Sequence, residues 1–275
     1  MSIIITSPSN TKIKEAVKLR EAKHRRRTGT FLIDGRREID RAIKSGIRIL
    51  ELFGSEDALA VYRCADASLH YISEALLQKI AYGDRNEGVV AVAQEPERTL
   101  KTFEKAVFGS PSKNGVLLAV LENIEKAGNV GAVFRSADAA GVDGIILAFH
   151  PAQDNVNADV FHPNTIRSSL GTVFQLPFAV MDSQAALDYL QERNVALALA
   201  KCPDSVNTRT VSYTDYDFRK PAAIVLGSEA TGLTDVWNNG STTAISLPMQ
   251  GIADSLNISV AAGILFYEAL RQRIN

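Results

Sequence analysis

Three separated segments in the C-terminal part of the chain each place Gly, Asn or Ser where a strand-like run passes into a helix-like run. They span residues 123–135, 226–232 and 245–259. In an α/β sheet such junctions lie at the carboxyl edge of the strands, where backbone donors and small polar side chains hold ligands. The three segments therefore predict parts of one pocket.

Alternating strand-like and helix-like runs predict two α/β domains. The strand-like runs of the first domain lie at residues 31–33, 47–53, 69–72 and 89–93. A second alternation begins at the apolar run 116–121. The segment 94–114 between them is polar and rich in turn-forming residues. We therefore expect domains at residues 1–96 and 114–275, joined by a linker at 97–113.

Bulk composition argues against a membrane protein and against a disulfide framework. The 275 residues are 46% hydrophobic and 22% charged, as in soluble globular proteins. No apolar run approaches the ~20 residues of a membrane span, and the N-terminal segment is a poor signal peptide. Cys64 and Cys202 are the only cysteines and form no Cys-x-x-Cys motif. We expect a protein of the reducing cytoplasm that makes no contact with a membrane.

Positive charge is concentrated at the N-terminal end. Residues 1–41 contain 11 Lys/Arg against 5 Asp/Glu, a balance of +6, although the whole chain has a net charge of −1. Such asymmetry predicts an anionic partner at this end. Ser9 and Asn10 are good helix caps and Gly29 is a stop signal, which predicts one basic helix over residues 9–27 facing phosphate. The alternative is a solvated helix with lysines on its outer face.

The second of the three segments follows an apolar strand-like run. Gly227 lets the backbone turn and approach a ligand closely, Glu229 can cap a helix or bind a ligand hydroxyl, and Gly232 can adopt a positive φ. Taken alone, the segment is equally compatible with a structural strand–turn–helix corner. No two of the 18 glycines lie two residues apart. The chain therefore lacks a Gly-x-Gly-x-x-Gly fingerprint, which disfavours a dinucleotide or nucleoside-triphosphate enzyme.

A metal site is not expected. His150 and His162 flank Asp154 and Asp159 in a polar stretch. Their spacing matches no compact metal-binding motif, and such residues in loops are mostly just polar.

Together the three segments resemble the motifs of SpoU-type RNA ribose methyltransferases, a branch of the SPOUT superfamily. The matching positions are Asn129, Gly131 and Arg135, then Gly227, Glu229 and Gly232, and finally Leu247-Pro-Met, Gly251 and Ser255-Leu-Asn-Ile-Ser. The resemblance covers roughly residues 115–273. It departs from the family pattern at Ala127, where Pro is common and only stiffens the turn.

The resemblance implies an α/β domain whose parallel sheet is flanked by helices and whose C-terminal segment forms a trefoil knot. It implies S-adenosylmethionine as methyl donor, with no metal. The positions implied for donor binding are Gly227, Gly232, Leu247, Met249, Leu256 and Ala200. In the family the site lies at a homodimer interface. We therefore expect a homodimer in which the last helix buries a stripe formed by Ile258, Ala262, Leu265 and Ala269.

The same resemblance places five residues at the reacting centre. They are Arg135, Asn129, Glu229, Ser255 and Asn257. A guanidinium essentially never loses its proton in a protein. We therefore expect Arg135 to grip the target phosphate and stabilise the forming alkoxide rather than to act as a base. Asn129 and Glu229 would orient the ribose and Arg135, and Ser255 and Asn257 would complete the pocket floor.

The N-terminal domain resembles the small α/β substrate-binding domain of many SpoU-type proteins, which is similar to ribosomal proteins that bind kinked RNA. The positions expected to contact RNA are Arg25, Arg26, Arg27, Arg36, Arg37 and Arg167. This domain favours ribosomal RNA as the substrate. The alternatives are the same chemistry on tRNA, a resistance enzyme that methylates the ribosome, and a non-catalytic RNA-binding protein that keeps the fold.

Overall fold

The computed structural model describes residues 4–62, 66–83, 87–109, 115–151, 159–202, 210–239 and 241–274. The chain divides into two compact units, each with an α/β fold. Unit 1 consists of Met1–Glu97 and Asp159–Gln175, and unit 2 of Arg98–Ala158 and Leu176–Asn275. Across the described ranges, no helix has both the length and the apolar content that a membrane crossing requires.

The elements of the first 97 residues are α1 (Thr11–Lys18), α2 (Ala22–Thr28), β1 (Thr30–Asp34), α3 (Arg36–Lys44), β2 (Ile49–Gly54), α4 (Glu56–Leu59), β3 (Ser68–Tyr71), α5 (Glu74–Ile80) and β4 (Val89–Gln94). The elements of the remaining chain are α6 (Leu100–Phe108), β5 (Leu117–Glu122), α7 (Ala127–Ala139), β6 (Gly144–Phe149), α8 (Pro163–Ser168), β7 (Phe178–Asp182), α9 (Ser183–Glu192), β8 (Ala196–Ala200), β9 (Val211–Ser212), β10 (Ala222–Leu226), β11 (Thr242–Ser246) and α10 (Ile258–Ile274).

The described strands of unit 1 form a sheet in the order β1–β4–β2–β3. β4 pairs antiparallel with β1 and β2, whereas β2 and β3 are parallel. Ile13 of α1 and Ile80 of α5 are fully buried against Leu32, Phe53 and Val90 of the sheet. The apolar positions of the sequence therefore form a core between this sheet and its helices.

The basic N-terminal segment forms two short helices rather than the single helix predicted for residues 9–27. Its predicted ends are correct. Asn10 caps α1 by accepting a backbone N–H at 2.9 Å, and Gly29 ends α2 in the left-handed region at φ 62°. Leu19 lies between the helices and is only 3% exposed. Its burial in the core turns the chain there, because tertiary packing outweighs the helical preference of the basic residues.

The segment 159–175 was expected in the second domain but packs in unit 1. Phe161 stacks on Phe31 of β1 with 4.5 Å between ring centroids, and Phe174 lies 6.0 Å from the same ring. These rings are 7% exposed or less. The apolar contact with β1 therefore explains why the segment belongs to the N-terminal unit.

A helix also occupies much of the predicted linker at 97–113. Thr99 and Thr102 form a capping box at the start of α6. Phe103 and Val107, four residues apart on one face, are buried in the core of unit 2. The buried face of α6 consists of only these two side chains, which gives a weak helical signal in a stretch flanked by polar residues. Residues 110–113 of the predicted linker lie outside the described part of the chain.

The described strands of unit 2 form a parallel sheet in the order β7–β6–β5–β10–β8–β11–β9. The predicted parallel sheet flanked by helices is therefore confirmed. β5 and β10 are buried throughout, as expected for central strands covered on both faces. β10 comes after β8 and β9 in sequence, yet it lies between β5 and β8. The strand order reverses direction at β5 and β10, where α/β proteins usually bind ligands.

The last helix, α10, packs along α7. The stripe expected at a dimer interface comprises Ile258, Ala262, Leu265 and Ala269. These four side chains are at most 5% exposed within the single chain, so their burial does not require a partner. The large apolar side chains that α10 exposes are Val260, Ile264 and Tyr267, at 50%, 37% and 53%, and Ile274 at its C-terminal end, at 71%.

A buried carboxylate at the end of β5 joins three elements of unit 2. Glu122 is 0% exposed. Its Oε1 accepts hydrogen bonds from the hydroxyls of Ser183 at 2.5 Å and Thr234 at 2.7 Å. Its Oε2 accepts the backbone N–H of Thr234 at 2.8 Å. β5, the start of α9 and the segment after β10 are therefore held together by one side chain.

Replacing Glu122 should destabilise unit 2. Glu122→Ala leaves three donors without their acceptor and should lower the free energy of unfolding by about 2–4 kcal/mol. Glu122→Gln should cost less, because its amide keeps one of the two acceptor oxygens. Urea unfolding followed by the fluorescence of Trp237, the only tryptophan and fully buried in unit 2, measures the effect. Glu192→Ala, at an exposed position of α9, is the control. Equal stability of the Glu122 and Glu192 variants would contradict this role.

Candidate active site

Polar side chains from the three sequence segments meet at the carboxyl edge of the unit 2 sheet. Asn129 lies in the first turn of α7, Glu229 follows β10, and Asn257 directly precedes α10. Oε1 of Glu229 accepts the Nδ2 amide of Asn129 at 2.8 Å and that of Asn257 at 2.9 Å. Nδ2 of Asn257 also lies 3.3 Å from Oδ1 of Asn129. The structure thus brings together one residue from each segment.

A tight turn after β10 positions Glu229. A Cβ atom on Gly227 would lie 2.3 Å from the backbone carbon of Gly232 and 2.5 Å from the backbone nitrogen of Leu233. Only glycine therefore lets the two ends of the turn touch. Gly232 has a φ of 67°, and its N–H donates to the carbonyl of Ser228 at 3.0 Å. The turn expected at Gly227 is present, and the close approach that the structure shows there is to the backbone of Gly232.

Asn257 fixes the start of α10 as well as the polar cluster. Its Oδ1 accepts the backbone N–H of Ser259 at 2.9 Å and the Ser259 hydroxyl at 2.6 Å. Its Nδ2 is then directed toward Glu229 and Asn129. Both ends of one amide are used, which fixes its orientation. Ser255, predicted beside Asn257, is exposed in the loop before the helix.

Lys126 is a residue of the cluster that the sequence analysis missed. Its ammonium group pairs with Oε2 of Glu229, and its side chain is 69% exposed. Hydrogen bonding from Lys126 holds the pKa of Glu229 below its ordinary value of 4.5, and the amide of Asn129 acts in the same direction. Partial burial opposes this shift but does not overcome it. The carboxylate is therefore ionised at neutral pH and able to orient both amides.

Arg135 does not join this hydrogen-bonded cluster among the described residues. It is exposed on α7, six residues after Asn129. That spacing corresponds to about 9 Å along a helix and about 120° around it. The guanidinium and the amide of Asn129 therefore leave α7 on different faces, and the exposed head is accessible to an external anion.

A cavity of about 460 Å³ lies at the end of β11, within unit 2. Its lining comprises Ser212, Ser246, Pro248, Met249, Gly251, Ala253 and Asp254. Met249 is the only predicted donor-binding residue in this lining. Leu247 and Leu256 lie half-buried in the adjoining segment. Gly227, Gly232 and Ala200 lie outside the lining, at the ends of the neighbouring strands or in the turn after β10.

The predicted RNA-contact residues differ in accessibility. Arg26, Arg27, Arg36 and Arg37 are exposed. The prediction for Arg25 is corrected, because its guanidinium is 3% exposed and binds the carbonyl of Leu19 at 2.5 Å and the carboxylate of Asp159. Arg167 is half-buried and donates to the carbonyl of Tyr82 at 2.5 Å. Both of these arginines hold unit 1 together.

Among the described residues, no group of three or more His, Cys, Asp or Glu side chains could hold a metal ion. Nδ1 of His162 accepts the backbone N–H of Asn164 at 3.0 Å and so caps α8. Asp154, considered with it in the sequence, lies outside the described part of the chain.

Comparisons with known proteins find a family match for the N-terminal part of the chain and another for the C-terminal part. Residues 116–267 match the SpoU rRNA methylase family, and residues 10–91 match an MRM3-like substrate-binding domain. The 23S rRNA (uridine(2479)-2′-O)-methyltransferase of Streptomyces viridochromogenes is 31% identical over 91% of this chain and 86% of its own length.

Two solved structures are similar to this chain over nearly its whole length. The crystal structure of an RNA 2′-O ribose methyltransferase is 37% identical, with a TM-score of 0.82 over 99% of this chain and all of the other. The SpoU methyltransferase AviRb from Streptomyces viridochromogenes, in complex with the cofactor AdoMet, is 28% identical with a TM-score of 0.81. The match to AviRb covers 97% of this chain and 99% of AviRb.

The Lys126 contact predicts a measurable change in the titration of Glu229. Lys126→Met removes the main cause of the lowered pKa, so that pKa should rise toward 4.5. Because the folded-state pKa is depressed, the ionised carboxylate stabilises the fold above its unfolded-state pKa, and this contribution is lost as the pH falls through the folded-state value. Carboxyl ¹³C NMR across pH 2–7 measures the pKa of Glu229. Lys101→Met, at an exposed position of α6, is the control. An unchanged pKa in the Lys126 variant would refute the assignment.

Proposed function

Because this chain belongs to the SpoU rRNA methylase family, we propose that it transfers a methyl group from S-adenosylmethionine to a ribose 2′-hydroxyl of ribosomal RNA. The observation that carries the proposal is the contact of Asn129, Glu229 and Asn257, which unites the three sequence segments in one site. We also propose a cytoplasmic location, which a ribosomal RNA substrate supports.

The cavity at the end of β11 suits the methyl donor. Pro248 and Met249 offer an apolar edge for an adenine ring, and Ser212 and Ser246 offer hydroxyls. Asp254 adds one carboxylate, which complements a cationic ligand. S-adenosylmethionine supplies a methyl group already activated by its sulfonium. The loop from Leu247 to Leu256 would hold the nucleoside, and the turn at Gly227 and Gly232 together with Ala200 would border it.

The protein must then align the 2′-oxygen with the methyl group and stabilise the charge that develops on that oxygen. Asn129 and Asn257 are the groups able to orient the ribose, because Glu229 fixes both amides. Ser255 lies exposed in the preceding loop and would complete the floor of the site. Arg135 would donate to the target phosphate and to the forming alkoxide. The hydroxyl proton would pass to solvent as the oxygen–carbon bond forms and the carbon–sulfur bond breaks.

We propose a homodimer built on the outer face of α10. Val260, Ile264 and Tyr267 form an exposed apolar row on this helix, and such rows mark interfaces. This row, rather than the stripe buried within the single chain, is the surface to which we assign the homodimer that the family resemblance implies. The placement of β10 between β5 and β8 supports the trefoil knot that the family resemblance implies.

We assign RNA binding to unit 1. Its match to a substrate-binding domain and the excess of basic residues in its first 41 positions support this assignment. The exposed arginines of α2 (Arg26 and Arg27) and of α3 (Arg36 and Arg37) offer two alternative surfaces.

Replacement of Arg135 should reduce catalysis without preventing donor binding. Arg135→Ala should lower the single-turnover rate by ~10²–10³, the usual loss for one preorganised donor at a developing oxyanion. Arg135→Lys should restore little, because an ammonium cannot reproduce the planar fork. The measurements are transfer of labelled methyl to protein-free ribosomal RNA, mapping of 2′-O-methyl positions, and calorimetry of the donor in the presence of a chelator.

Arg219→Ala, at an exposed position of unit 2 outside the site, is the matched control. Near-normal transfer by Arg135→Ala would remove Arg135 from the mechanism. If the protein bound the donor but methylated no RNA, a non-catalytic RNA-binding protein would be favoured. If it methylated tRNA alone, tRNA rather than ribosomal RNA would be the substrate.

The outer face of α10 predicts a variant with impaired assembly. Val260→Asp should weaken self-association on the order of 10²-fold, because an interface that covers this position would bury an unpaired charge. Val180→Asp is the control, since Val180 is 49% exposed on β7 and Val260 is 50% exposed. Light scattering over a concentration series measures the dimer. A wild-type chain that is monomeric at micromolar concentration and still methylates RNA would refute the interface.

A further inference from the structure

Several cations of the basic run at residues 12–27 form ion pairs or hydrogen bonds with other groups of unit 1. Lys12 pairs with Glu51 at 2.5 Å and Lys18 with Glu15 at 2.7 Å. Arg20 donates to the backbone carbonyl of Lys79 at 2.9 Å. Arg25 is buried, as described above. A cation already paired with a protein anion gains less from a phosphate, because the existing pair must be broken or shared.

The helix α3 presents a second basic surface that the charge run did not indicate. Arg36, Arg37, Arg41 and Lys44 line a shallow cleft of about 400 Å³, together with Asp40 and Glu87. Arg37, Arg41 and Lys44 are spaced four and three residues apart, which places them on one side of the helix, and Arg36 begins the helix beside them. The opposite side is apolar or buried, with Ile39 and Ala42 at 0% exposure.

Two of the four cations are held in position by groups beneath them. Arg37 donates from Nε and Nη2 to Oε1 of Glu38 at 3.1 and 2.6 Å. Glu38 is only 1% exposed. Arg41 donates to the backbone carbonyl of Leu170 at 2.5 Å. The charge of Arg37 is therefore partly offset by a carboxylate, as it is in the ion pairs of the basic run. Arg41 pairs with a neutral carbonyl and keeps its full charge. A guanidinium carries five N–H donors, so both contacts leave others for a ligand.

The carboxylates of the cleft do not cancel its charge. Asp40 accepts the hydroxyl of Tyr62 at 2.9 Å, which draws one carboxylate toward the protein. Four cations and two carboxylates line the cleft, and Glu38, paired with Arg37, is a third carboxylate, so the balance of these groups is still positive by one charge. This distribution suits a polyanion that offers several phosphates along a strand.

We propose that the α3 cleft, rather than the α1–α2 surface, is the main site at which unit 1 binds the phosphodiester backbone of the RNA substrate. The inference rests on the proposed function for the identity of the RNA. It adds Arg41 and Lys44 to the predicted RNA contacts and gives the basic run at residues 12–27 a smaller part in RNA binding.

The test compares two double variants of the full-length protein that lose the same types of charge. Arg36→Gln/Lys44→Gln alters the cleft, and Arg26→Gln/Lys14→Gln alters exposed positions of α2 and α1. Binding to protein-free large-subunit ribosomal RNA is measured by fluorescence at several salt concentrations. The cleft variant should lose at least ~10-fold in affinity and up to ~0.9 units of salt slope per lost contact. The α1–α2 variant should change several-fold less in both quantities.

Calorimetry with S-adenosylhomocysteine checks that the donor site is intact, and circular dichroism checks folding. Arg36→Gln alone is the second variant should the double variant fold poorly. If the two double variants lost equal affinity, both basic surfaces would contribute alike to RNA binding and the proposal would be overturned. A larger loss in the α1–α2 variant would overturn it as well. Wild-type protein that binds RNA with the predicted pattern but transfers no methyl group would refute the proposed function and leave the cleft in place.

Discussion

The closed turn at residues 227–234 is the feature on which the site and its support both depend. Backbone atoms of Gly227 and Gly232 approach so closely that no Cβ fits between them. The turn directs Glu229 toward Asn129 and Asn257, and its end directs Thr234 toward the buried Glu122. One backbone contact therefore sets the geometry of two hydrogen-bonded carboxylates, one exposed at the site and one in the core.

Local signals in the sequence predicted local structure well. The cap at Asn10 and the stop at Gly29 act through hydrogen bonds and dihedral angles within a few residues. The break at Leu19 could not be seen in the same way, because it depends on a core formed by residues distant in sequence. The same reason applies to Phe161, whose place in unit 1 is set by its stacking on Phe31. The predicted helix and domain boundaries that differ from the structure are therefore those governed by tertiary contacts.

The convergence of the three segments was predictable because parallel strands end at one edge of a sheet. The partner of each side chain was not predictable. Lys126 and Glu229 are separated by 103 residues, and only the fold makes them neighbours. Likewise, the periodicity of α10 identifies an apolar stripe but not what covers it. Here α10 packs on α7 within the same chain, and a different set of apolar residues remains exposed.

The charges of the site also constrain how it can work. Lys126 and Glu229 largely neutralise each other, and the cavity at the end of β11 contains one carboxylate, Asp254. Such surroundings favour a cationic donor but offer little attraction to a polyanion. Affinity for RNA must then come from cations outside the cluster, of which Arg135 is exposed on α7 and four others line the α3 cleft of unit 1. Recognition of the donor and recognition of RNA thus place opposite electrostatic demands on the chain. Separate surfaces meet those demands without either weakening the other.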